Sequence, residues 1–203
     1  KLKINYMKNI SHPDIFIIVT DSARAYNSNS GDDRERPTYY NRLDEFVHCT
    51  QAYTSAPSSV MSGAAMISSL DSYALARNYD NFRFNNSFNV NNVEKITEIG
   101  YKAQGFFAAR ELREKIGNLV GLDYENKLSS NNFYDRRWSN GDINKIVDNY
   151  LTKNSKSKKP LFNLIWHDMR NDFNISKNLE DLENIIKKHN KWKNSIIFFL
   201  SDH

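Results

Sequence analysis

Two apolar segments that each run straight into a carboxylate constrain this chain more than any other feature. Near the start, Ile15-Phe16-Ile17-Ile18-Val19-Thr20 leads into Asp21, and near the end Ile196-Ile197-Phe198-Phe199-Leu200 leads into Ser201-Asp202-His203. Short runs rich in β-branched and aromatic residues are the pattern of strands buried on both faces of a parallel sheet. The residue after such a strand lies at the carboxyl edge, where open α/β sheets bind ligands. Asp21, Asp202 and His203 are all of divalent-metal ligand type, so the pattern points to a metal held between two strand ends.

Strand and helix patterns alternate along the chain, which predicts an α/β fold with a mostly parallel sheet flanked by helices. Strands are expected at residues 14–20, 101–107, 161–166 and 195–200. Helices are expected at 38–48, from near Ser59 towards Leu70, at 93–99 (stopped by Gly100), at 143–151 and at 179–189. Residues 27–36 (NSNSGDDRER) read as a polar loop and residues 71–90 as an Asn-rich irregular stretch. No linker divides the chain, so residues 1–203 read as one α/β domain.

Composition narrows the function. With 39% hydrophobic and 13% aromatic residues in 203, the chain can bury a real core. Its apolar runs are far shorter than the ~20 residues of a membrane helix. The net charge of +4 is scattered apart from residues 153–159 (KNSKSKK), which read as a solvated loop. No basic and aromatic interleaving suggests nucleic acid. The single Cys49 rules out an internal disulfide and fits a reducing, cytoplasmic compartment. No His or Asn pattern surrounds Cys49, so it reads as a core or strand residue rather than a nucleophile.

The segment Ala52-Tyr53-Thr54-Ser55-Ala56-Pro57-Ser58-Ser59-Val60-Met61-Ser62-Gly63-Ala64-Ala65-Met66-Ile67-Ser68-Ser69-Leu70 is the second signal. A serine at a helix N-terminus meets free N–H groups and the positive end of the helix dipole, which also hold an anion. A metal beside it lowers the hydroxyl pKa and polarises a substrate oxygen. Ser59 with Asp21, Asp202 and His203 would then attack the ester of a tetrahedral oxyanion.

With these motifs the sequence resembles the sulfatase family of the alkaline phosphatase superfamily. The opening strand and Asp21-Ser22-Ala23-Arg24 stand where that family has Asp-Asp-x-Arg. Ser59 falls on its nucleophile, Ser62 on the serine three residues later, and Ser68-Ser69 on its Thr-Gly. Gly100-Tyr101-Lys102-Ala103 matches Gly-Tyr-x-Thr. Pro160-Leu161-Phe162-Asn163 followed by His167-Asp168 matches the later strand, and Ser201-Asp202-His203 matches Ser-Asp-His-Gly. The resemblance implies an alkaline-phosphatase-like fold and a metal-dependent hydrolase of sulfate esters. Asp21, Ser59, Asp202 and His203 would bind a divalent ion (Ca²⁺, Mg²⁺ or Mn²⁺, with Zn²⁺ open through His203). Ser59 would be the nucleophile, and His167 would contact the substrate oxyanion. Arg24 and Asp168 would bind substrate, a small-molecule, glycan or lipid ester. The family continues past its Ser-Asp-His motif, so the chain is expected to be incomplete after His203.

Three departures set alternatives. Ser22 replaces the second acid. The segment Ser59-Val60-Met61-Ser62-Gly63 lacks the Pro and Arg of the formylglycine maturation motif, so an unmodified serine is expected, which leans towards phosphate esters or phosphoryl transfer. The Lys-Trp-His motif is absent, and residues 106–111 read FFAARE. Together these leave open a non-catalytic binding protein of the same fold. Residue by residue, Asp21 and Ser59 could be helix caps, Ser55 is a rival nucleophile, His167 could be a structural histidine, and Asp168 could be a turn residue.

Overall fold

The computed structural model describes residues 12–23, 39, 47, 49, 52–54, 56–69, 79–80, 83–84, 92–108, 112, 139–168 and 174–202. Along the chain run β1 (Asp14–Thr20), α1 (Ser59–Ser68), β2 (Tyr79–Asp80), β3 (Arg83–Phe84), α2 (Asn92–Glu98), β4 (Lys102–Phe107), α3 (Asn140–Lys153), β5 (Leu161–His167), α4 (Ile175–Lys188) and β6 (Ser195–Ser201). Arg24, Ser55, His203 and all of the expected helix over 38–48 except Tyr39 and Val47 lie outside the described residues. Within the stretch read as irregular, β2 and β3 form a short antiparallel pair.

Four strands make one sheet in the order β4-β5-β1-β6, and every pairing in it is parallel. The register sets Thr20 beside His167 on one side and Ser201 on the other, so β1, β5 and β6 end level. Asp14 fixes the opposite end. Its carboxylate accepts from the Leu161 N–H at 2.7 Å and meets Lys191 Nζ at 2.6 Å, tying the start of β1 to β5 and to the loop before β6.

The helices cover both faces, as parallel sheets require. On one face α3 and α4 pack against Phe16, Ile18, Phe106, Leu161 and Ile165. Ile175, Leu179, Leu182 and Ile186 recur at helical spacing and form the fully buried stripe of α4. On the other face Val60, Ala64, Ala65 and Ile67 of α1 and Val93 of α2 pack against Val19, Phe107, Phe162, Leu164 and Trp166. Gly100, at φ +106°, turns the chain from α2 into β4 in a conformation that side chains rarely adopt.

β6 departs from the reading of a strand buried on both faces. Ile197 and Phe199 pack on the α3–α4 side, whereas Ile196 and Phe198 on the other side are 46% and 47% exposed. It is an edge strand among the described residues, beyond the cover of α1 and α2. Cys49 is exposed, not a core residue. No helix among the described residues is long and apolar enough to cross a membrane.

Ile165, fully buried in β5 between β4 and β1, reports this architecture. Ile165→Ala is expected to lower the unfolding free energy by about 2–5 kcal/mol, read by denaturant titration. A cost well under 1 kcal/mol would contradict the central place of β5.

Candidate active site at the carboxyl edge of the sheet

Side chains alternate along a strand, so Asp21 continues the row of Ile15, Ile17 and Val19 and faces α1. It is 1% exposed. Across the strand ends Asp202 follows β6, also 1% exposed. Ser22 joins the two carboxylates: its N–H donates to Asp202 Oδ1 at 2.7 Å and its hydroxyl to Asp21 Oδ1 at 2.7 Å. To do both, Ser22 holds a left-handed φ of 63°. For a non-glycine residue that conformation costs on the order of 1–2 kcal/mol, and the two charge-assisted hydrogen bonds offset it.

α1 brings the third group. Ser59 is its first residue, half-buried, and Ser59 Oγ donates to Asp21 Oδ2 at 3.3 Å. Asp21 thus presents one oxygen to Ser22 and the other to Ser59. The preceding residue, Ser58, is extended and makes no side-chain capping bond, so its hydroxyl does not occupy the positive end of the helix. Ser62, one turn on, donates its hydroxyl to Ala56 O at 2.8 Å. Thr54 Oγ1 sits 2.9 Å from Ser62 Oγ and donates to Asp202 O at 2.5 Å. These hydroxyls fasten the start of α1 and the turn before it to the end of β6. At the far end of α1, Ser69 takes the left-handed position (φ 57°) usually held by glycine.

The structure does not bring His167 to this group. It shares the row of Leu161 and Ile165 and faces α3, completely buried. Asn144 Nδ2 donates to Asn178 O at 2.8 Å, so its Oδ1 is turned to His167 Nε2, 3.1 Å away. That assigns the proton to Nε2. Burial pushes the His167 pKa down from 6.5 to about 4, so the ring is neutral. Asp168 is buried next to it, and its backbone is clamped at both ends by the Asn140 side chain (2.9 and 3.0 Å). Asn140 and Asn144 lie one turn apart at the start of α3. Ser139 caps that helix by accepting from the Asp142 N–H at 3.1 Å, and its hydroxyl donates to Asp142 Oδ2, holding that carboxyl below its ordinary range.

Two buried carboxylates and a serine hydroxyl are therefore gathered at the level ends of three parallel strands. No group of three His, Cys, Asp or Glu side chains suited to a metal is present among the described residues, which do not include His203. No protein-family profile and no curated protein sequence matches this chain. Solved structures match it in fold. One is a protein of the alkaline phosphatase superfamily from Vibrio parahaemolyticus, with TM-score 0.61 and 17% identity over 94% of this chain and 54% of its own.

The fold is that of the alkaline phosphatase superfamily.

Two further structures with this fold are similar. The candidate sulfatase YidJ from Bacteroides fragilis has TM-score 0.67 and 11% identity, over 97% of this chain and 63% of its own. The lipoteichoic acid synthase LtaP from Listeria monocytogenes has TM-score 0.64 and 12% identity, over 94% and 56%. The chain thus spans between 54% and 63% of the length of these structures.

Ser22, Thr54, Asn140 and Asn144 are the site residues that sequence reading missed. For the two asparagines a signal existed: their i, i+4 spacing puts them on one side of a helix whose buried face is otherwise apolar.

The neutral His167 predicts a pH dependence. Its folded pKa of about 4 lies below the ordinary 6.5. The unfolded chain therefore binds a proton that the folded chain refuses. The contribution to stability is full above pH 6.5 and is lost as pH falls towards 4, by up to about 3 kcal/mol. His167→Gln, which keeps a donor for Asn144 and does not titrate, is expected to lose less unfolding free energy over that interval than the parent. Parallel curves would show that His167 is not held neutral.

Proposed function

We propose that this chain carries the nucleophile side of a metal-dependent enzyme acting on esters of a tetrahedral oxyanion, sulfate or phosphate, with Ser59 as the nucleophile. The observation that carries the reading is the contact of Ser59 Oγ with Asp21 Oδ2 at the start of α1, beside an Asp202 tied to the same strand end through Ser22. The fold shared with a superfamily that includes a candidate sulfatase and a lipoteichoic acid synthase supports it.

The donor set fits a hard divalent cation. Asp21, Asp202 and Ser59 offer oxygen only, which suits Ca²⁺, Mg²⁺ or Mn²⁺, and His203 would extend the choice to Zn²⁺. When bound, such an ion would favour the ionised serine and neutralise charge on the substrate oxyanion. The chain's own groups do the rest. Asp21 Oδ2 orients the hydroxyl. The N-terminal end of α1, unfilled by Ser58, accepts negative charge. The serine oxygen bonds to phosphorus or sulfur as its proton passes to Asp21 Oδ2, to which it already donates. The ester oxygen takes up a proton and leaves as the alcohol, and water then cleaves the serine phospho- or sulfoester, restoring the Ser59 hydroxyl and freeing phosphate or sulfate. Because Ser59 lacks the maturation motif, phosphate esters or phosphoryl transfer are favoured over sulfate. Arg24 and Asp168 are proposed for substrate contact, and His167 for support of the β5 end.

The test uses the full-length protein with aryl phosphate and aryl sulfate esters. Ser59→Ala is expected to abolish turnover of whichever ester the parent accepts, by at least about 10³-fold, while Ser55→Ala keeps most of it. Chelation is expected to stop the reaction, and Asp202→Asn to lose stoichiometric metal by elemental analysis. Full activity in Ser59→Ala would overturn the nucleophile. A parent that binds no divalent metal and turns over neither ester would favour a non-catalytic binding protein.

A further inference from the structure

The residue between the two carboxylates is neutral, and its placement bears on how the site takes a cation. Ser22 follows Asp21 directly, and its left-handed backbone turns the N–H towards Asp202 while the hydroxyl reaches back to Asp21. The parallel register of Thr20 with Ser201 brings strand ends 180 positions apart in sequence abreast, and Ser22 then ties the two carboxylates to each other. One oxygen of Asp21 is fixed by Ser22 and the other faces Ser59. A carboxylate free to rotate would present its oxygens in many directions, and orienting partners of metal ligands commonly account for 10–100-fold in affinity.

We propose that Ser22 is a positioning residue that sets both the geometry and the charge of the cation site: it locks Asp21 and Asp202 in one arrangement and keeps to two the carboxylates that the described residues supply. This rests on the reading of the site as cation-binding. An acid at position 22 would put a third negative charge within hydrogen-bond reach of Asp21. Without a cation, like charges in a buried site repel. With one, the same group adds an oxygen ligand and more negative charge, and both raise affinity for a hard cation. Ser22→Asp therefore carries a signature of two opposite signs, which a merely structural serine would not produce.

The experiment is calorimetric titration of chelator-treated full-length protein with Mn²⁺, paired with thermal melts with and without Mn²⁺. Ser22→Ala is expected to bind Mn²⁺ about 10-fold or more weakly than the parent. Ser22→Asp is expected to melt lower than the parent without metal, to recover with Mn²⁺, and to bind it roughly 10-fold more tightly. Ser22→Asn keeps a side-chain donor and tolerates the left-handed conformation, and it is expected to hold affinity closer to the parent than Ser22→Ala does. If Ser22→Ala does not fold, the Asp and Asn variants carry the test alone. Parental affinity in Ser22→Ala, or a loss of stability in Ser22→Asp that Mn²⁺ does not restore, would overturn the role of Ser22 and leave the cation reading intact. A parent that takes up no Mn²⁺ would overturn the cation reading, and this inference with it.

Discussion

The parallel pairing of β1 with β5 on one side and β6 on the other is what everything else here depends on. A central strand held at both edges is buried on both faces, and its register aligns three strand ends to the same level. Once Thr20, His167 and Ser201 stand abreast, the residues just beyond them have no choice of neighbours. Asp21 and Asp202 meet through Ser22. The Asp21 N–H donates to the His167 carbonyl at 3.0 Å, so the β5 end joins the same backbone network. The Asp14–Lys191 pair and the Asp14–Leu161 bond hold the register from the far side. A slip of one residue would turn every side chain of β1 to the wrong face and separate the carboxylates.

β1 and β5 were legible in the sequence because burial on both faces demands near-continuous apolar runs, and few other structures do. Residues 14–20 form β1 as read. α1 begins at Ser59 as read, since Pro57 and the small, apolar residues after it leave little else for that segment to form. The same property hid the facing of His167. Alternation puts residue 167 in the row of Leu161 and Ile165, opposite Trp166, but a strand read as LFNLIWH has no alternation of polarity, so nothing in it says which row faces α1 and which faces α3. Only the helix packed against each row decides. The roles of Ser22 and Thr54 were illegible for a related reason, since each depends on Asp202 far along the chain, and the spacing of Asn140 and Asn144 marks a helix face without naming His167 or Asp168 as their partners. Cys49 and the open face of β6 depend on what other elements leave uncovered, which a local pattern does not record.

A second polar group lies on the other face of the sheet. Asn140, Asn144 and His167, two amides and a neutral imidazole, are all buried there. Asn140 and Asn144 hold the end of β5 by backbone and side chain, which keeps Asp168 and the strand edge from shifting against the carboxylates. Buried amides of this kind add little net stability, yet each leaves an unpaired group if its partner moves, so they favour one arrangement sharply over its neighbours.

The pairing that makes the site also governs when it can exist. Asp21 lies near the beginning of the chain and Asp202 near its end, and Ser22 reaches Asp202 across 180 residues. Closing so long a loop is entropically costly and slow. During synthesis β1 emerges long before β6, and its second edge must wait for a partner that is still to be made. The helices and the β4–β5 pair can form meanwhile from contacts closer in sequence. The carboxylate site is thus assembled only once β6 has joined β1. A chain caught before that step would expose an apolar strand edge and leave the two carboxylates apart.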